Sequence, residues 1–260
     1  MPEEKKVRRK KKKKKKKKDP RKLEILDACM ALGDACNRVR DIDDAMKYKE
    51  RALKGYEEQL GRNSENALHV TYSLTWSTLM SNDEKIEKLR DLVKRMERAL
   101  GEENVVTLDT LNSLGGTLHK NEEHEEAKEV WEKCLVGQTK LHGEDHRLTL
   151  MTMGNLGAVY FALKSEKALE YYERALKRSE KLMGKNHPDT LSTMMNTAIF
   201  YDNNLKNYVK AEELYERALE GYEAQFGKDH KSTKDCVKKF KKHLIFHNSE
   251  RLNQLNAIYP

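Results

Sequence analysis

Apolar residues recur at three- and four-residue spacing along most of the chain and are interrupted at regular intervals by glycine. That period predicts amphipathic helices rather than strands. After Pro20 the stripe Leu23, Ile25, Leu26, Met30 and Leu32 opens a first helix, with Asp19 placed to cap it and Pro20 suited to its first turn. A turn around residues 41–44 leads into a second helix from about Ala45 through Ala52 and Leu53 to Leu60, where Gly61 offers a left-handed C-terminal cap. One unit is therefore helix, turn, longer helix, glycine.

The plan repeats. Gly61, Gly101, Gly143, Gly184 and Gly227 follow one another at spacings of 40, 42, 41 and 43 residues, and such a period marks an array in which each unit buries its apolar face on its neighbours. The pairs Ala127/Cys134, Ala168/Ala175 and Ala211/Ala218 hold small residues where helices must approach closely. Leu68, Leu108, Leu150 and Leu191 stand seven residues after the glycines, on the first helix of the next unit, but Lys234 takes the fifth such place and the array is expected to stop there. Units are placed at about 20–61, 62–101, 102–143, 144–184 and 185–227. A polar-backed capping helix over 229–246 carries Val237, Phe240, Leu244 and Ile245, and a loose tail is expected over 247–260.

Leu156-Gly157-x-x-Tyr160, followed by Ala168, Tyr172 and Ala175, resembles the tetratricopeptide pattern. The second helix runs about two turns beyond Ala175 and ends in Gly184-Lys185-Asn186-His187-Pro188, and this longer form resembles the kinesin light chain repeat. Related wording stands at Gly143-Glu144-Asp145-His146 and Gly227-Lys228-Asp229-His230. Units one and two depart from it: Thr75 stands where glycine or alanine is expected, Leu92 and Val93 replace Ala-Leu, and Ser64 and Asn104 replace the histidine. The resemblance covers residues 20–246. It implies an all-α, right-handed α-solenoid of about five helix pairs whose concave groove holds a partner protein or peptide. Light chains carry heptads ahead of the solenoid, and nothing between Met1 and Asp19 could form a coiled coil, so association with a kinesin heavy chain is not expected.

Charge divides the chain. The net charge of +8 is concentrated in residues 1–19, a polybasic arm expected to be disordered, with Arg8, Arg9, Lys10, Lys14 and Lys18 among its cations. Residues 5–18 could bind nucleic acid, an acidic tubulin tail or an anionic surface, could address the nucleus, or could have no dedicated partner. The absence of interleaved aromatics argues against base stacking. No apolar run is long enough to span a bilayer or to serve as a signal peptide, so an intracellular, cytoplasmic or nuclear, unsecreted protein is expected.

Candidate chemistry is sparse. Cys29, Cys36, Cys134 and Cys236 are scattered without a C-x-x-C pair, which fits buried thiols better than a disulfide framework or zinc site. His142 to His146 has metal-ligand residue types, but His146, His187 and His230 each stand three residues after a repeat glycine, so this histidine is read as a helix-capping position. Nucleotide-loop, nucleophile-elbow and H-E-x-x-H motifs are missing. No catalytic residue, cofactor or metal is therefore assigned. Helical spacing along the first helices selects Asn112, Ser113, His119, Asn155, Phe161, Asn196 and Asp202 as groove residues. The resemblance places Asn155 and Asn196 toward the groove, where an amide could clamp a peptide backbone or be satisfied within its own repeat stack.

Overall fold

The computed structural model describes residues 19–247 and 250–259. The polybasic arm, with Arg8, Arg9, Lys10, Lys14 and Lys18, lies outside the described residues. The described residues are helical and contain no strand. They divide into two compact units, which meet in sequence between Leu79 and Met80.

The first unit contains α1 (Pro20–Arg38), α2 (Ile42–Leu60) and α3 (Glu65–Ser77), each packed on the next. Asp19 accepts a hydrogen bond from the Arg21 amide and caps α1. Leu26, Cys29, Met30, Ala52, Tyr56, Ala67 and Val70 form its core. The helices approach closely at Gly33, where a Cβ would lie 2.8 Å from Lys49 Cγ, and at Gly55, where it would lie 2.2 Å from Leu26. α3 ends early, for a chemical reason: Thr75, Ser77 and Thr78 turn their hydroxyls back onto the carbonyls four residues earlier, competing with helix continuation. The chain then leaves extended at Thr78, with Leu79 exposed.

The second unit runs α4 (Asn82–Leu100), α5 (Val105–Lys120), α6 (His124–His142), α7 (Arg147–Ala162), α8 (Lys167–Met183), α9 (Pro188–Phe200), α10 (Tyr208–Phe226), α11 (Lys231–Phe246) and α12 (Arg251–Ile258). Each helix packs on its successor, with short connections that make neighbours antiparallel. Small residues set the pairing distance. A Cβ on Gly115 would meet the Trp131 ring at 2.7 Å, and one on Gly157 would meet the Tyr172 ring at 2.6 Å. The Leu-Gly-x-x-Tyr wording thus records the contact of a first helix with the aromatic ring of its own partner helix.

The repeat glycines have φ between 79° and 97°, but their ψ of 155–170° is extended rather than left-handed helical, so the expected left-handed cap is corrected. The extended ψ carries the chain straight into the next N-cap. Ser64, Asn104, His146, His187 and His230 each stand three residues after a glycine and accept a backbone N–H of the following helix. Ser64 and Asn104 therefore do the work of the histidine they replace.

Two features depart from the sequence expectation. The segment after residue 246 is not a loose tail: α12 packs on α11, Leu255 is buried with the core of the last repeat, and Leu252 and Tyr259 pack against that core. The 43-residue spacing before Gly227 also has a visible cause. Tyr201–Leu205 form a π-helical turn at the end of α9, and the left-handed turn residue, Lys164 in the previous repeat, falls one position later as Lys206. One inserted residue has been absorbed by widening the last turn of the helix.

Candidate functional site

Within the second unit the first helices of successive repeats also touch one another, α5 against α7 and α7 against α9, more extensively than the second helices α6, α8 and α10 do. Crowding of the first helices makes their side the inner one. The side chains lining it are the residues a bound segment would meet.

Two of the selected residues meet there directly. Asn155 Nδ2 donates to Asn112 Oδ1 at 3.1 Å, across one repeat, and the same oxygen accepts Trp131 Nε1 at 3.0 Å. The Asn112 carboxamide thus ties the inner row to the core aromatic of its own repeat. Asn196, the next amide along, is half-buried and has no partner among the described residues. Ser113 lies beside Asn112 on α5 and is half-buried, its carbonyl accepting Thr117 Oγ1.

The remaining three share a repeat position at the ends of the first helices but not an environment. Phe161 sits edge-to-face with the buried Phe200 at 5.6 Å. His119 packs toward His124 and Trp131, inside its own helix pair. Burial, with the second imidazole beside it, holds His119 below the ordinary histidine pKa. Asp202 turns toward α11, its Oδ1 lying 3.0 Å from His243 Nδ1 and 3.1 Å from His247 Nε2. The structure therefore joins Asn112 to Asn155 across one repeat, leaves Ser113 and Asn196 at the position equivalent to Asn155 on α5 and α9, and takes His119 and Asp202 into side-chain clusters of their own. Sequence spacing could not have found the partners of Asp202, which lie 41 and 45 residues away on the capping helix.

The cysteines are free thiols, three of them buried. Burial pushes Cys134 and Cys236 up to about 12, so neither is a nucleophile at neutral pH. Among the described residues, no helix is long and apolar enough to cross a membrane.

The tetratricopeptide repeat family matches residues 106–181 and 164–224. No curated protein matches the chain by sequence. Solved structures do. A Podosopora anserina protein with nearly identical TPR-like repeats of the kinesin light chain type is 19% identical, with a TM-score of 0.66 over 79% of this chain and 98% of that one. BtubC (BKLC) from P. vanneervenii is 20% identical, with a TM-score of 0.69 over 80% and 83%. A Rap protein complexed with competence and sporulation factor is 15% identical, with a TM-score of 0.55 over 88% and 70%. Residues 106–224 are therefore tetratricopeptide repeats, and the chain has the fold of kinesin light chain-like tetratricopeptide proteins.

Proposed function

We propose that this protein is a non-enzymatic adaptor that holds a peptide segment of a partner protein along the inner row of α5, α7 and α9. The observation that carries this reading is the half-buried amide of Asn196, which stands on α9 where Asn155 stands on α7 and has no partner of its own among the described residues. Its carboxamide is open to solvent and so is available to a ligand, and a peptide backbone offers both a donor and an acceptor to match it. The bond from Asn155 Nδ2 to Asn112 Oδ1 would fix the orientation of both amides and leave Asn155 Oδ1 and Asn112 Nδ2 to meet the ligand. Phe161 would add an apolar contact at its edge. The likeness to a Rap protein complexed with competence and sporulation factor supports binding work on this fold, and the long kinesin light chain-like repeat supports a partner of the adaptor kind.

The second reading gives the binding to residues 5–18, whose lysine run would attract nucleic acid or an acidic protein surface. Affinity capture with the full chain separates the two. Partners that Asn196→Ala with Phe161→Ala loses, but that Glu129→Ala with Lys177→Ala on second helices keeps, would establish the inner row. Partners that are lost only on deletion of residues 1–18 would transfer the function to the arm.

A further inference from the structure

Asp202, His243 and His247 come together where the last repeat meets its capping helix. His243 and His247 lie four residues apart at the end of α11 and so share one face. Asp202 is presented by the π-helical turn that the inserted residue creates. The three donor atoms all lie within 4.8 Å of one another.

His243 is 2% exposed, yet neither ring nitrogen makes a hydrogen bond among the described residues. Its Nδ1 is 3.0 Å from Asp202 Oδ1 without the alignment of a hydrogen bond. Such an off-axis approach has the length of an edge of a coordination polyhedron: two ligands each about 2.1 Å from a zinc-like ion stand roughly 3.0–3.5 Å apart. The His247 Nε2 to Asp202 Oδ1 separation of 3.1 Å is a second such edge. The third separation, between the two imidazoles, lies within 4.8 Å.

The surroundings orient the donors. Tyr208 stacks on the His247 ring at 3.7 Å between centroids, and the Tyr215 ring lies 5.4 Å from that of His243. A cleft of about 620 Å³ opens onto the trio and leaves room for a water ligand. Lys206, Lys239 and Lys242 line the same cleft. Their charge opposes any cation, so retention of a metal here would rest on bonds to imidazole rather than on electrostatics.

We propose that Asp202, His243 and His247 bind one divalent transition-metal ion of the zinc class, which clasps the π turn of the last repeat to the capping helix. This site is independent of the peptide row. The test uses the full chain stripped with chelator, titrated with cobalt(II) and followed by visible absorption, with zinc competition by calorimetry. The expected result is one cobalt per chain, displaced by zinc, with Asp202→Asn and His247→Gln each weakening uptake at least tenfold. Both variants should keep the wild-type helical circular dichroism. The His142→Gln, His146→Gln double variant, which removes the other close imidazole pair, should bind like wild type. No saturable uptake, uptake that survives in both Asp202→Asn and His247→Gln, or loss in the His142/His146 variant would each overturn the assignment.

Discussion

Lys49 occupies in the first repeat the position that Trp131, Tyr172 and Tyr215 fill in later ones, four residues after Ala45, Ala127, Ala168 and Ala211. Its side chain is as buried as theirs, and its stem packs against Gly33 much as Tyr172 packs against Gly157. The ammonium pairs with Asp34 at 3.1 Å and donates to Ser77 at 3.2 Å. Removing one partner of such a pair leaves a desolvated charge, so Asp34→Ala should lower unfolding free energy by about 1–3 kcal/mol. Lys49→Met with Asp34→Ala should restore most of that loss, because the aliphatic stem is what fills the site. Urea unfolding of the three variants checks both. The buried phenols and thiols set a second limit. Burial raises Tyr172 above its ordinary value of 10.0, and takes Cys134 from 9.0 to about 12. The unfolded chain would lose these protons at the ordinary values while the folded chain keeps them. The stability they contribute is thus complete at neutral pH and is lost as pH rises from about 9 toward 12, at up to about 1.4 kcal/mol per pH unit for each group. A urea midpoint that stays flat from pH 8 to pH 11 would contradict this.

At the scale of elements, the junction from glycine to N-cap is the feature that every repeat preserves. Gly184 combines φ 91° with ψ 162°, and a Cβ there would touch nothing. Gly184→Ala should therefore cost about 1–3 kcal/mol through backbone strain alone, a value that thermal or urea denaturation can measure. His187 caps α9 through Nδ1. His187→Ala should cost about 1 kcal/mol, and His187→Ser should recover most of it, since Ser64 already caps α3. These junctions could be read from the chain because each is a local rule of three or four residues, repeated five times. What could not be read depended on side chains brought together from afar or on small departures from the period. The α12 helix takes its order from burying Leu255 beside the last repeat, and an eight-residue segment of weak amphipathicity announces none of that. The early end of α3 comes from three back-bonded hydroxyls within four residues, and the π turn from one inserted residue; both look like minor wear in a repeat. Of the residues selected by spacing, Asn112 and Asn155 are in contact across one repeat. His119 packs within its own helix pair and Asp202 turns toward α11, because a helix-end side chain can turn toward its own partner helix or toward the next, and spacing does not distinguish the two.

At the scale of the molecule, the inner row of α5, α7 and α9 and the polybasic arm predict opposite responses to salt. Binding through residues 5–18 should fall steeply with ionic strength, as counterions compete for the lysines. Binding through Asn196 and Phe161 should change little, because it rests on hydrogen bonding and apolar contact in a half-buried row. The most direct measurement is hydrogen exchange on the full chain, free and bound to a peptide selected from a random library at physiological salt. Slower exchange confined to α5, α7 and α9, and abolished when Asn196→Ala and Phe161→Ala prevent binding, is the predicted result. Protection on the outer helices α6, α8 and α10, or binding that disappears only with the arm, would contradict the adaptor reading.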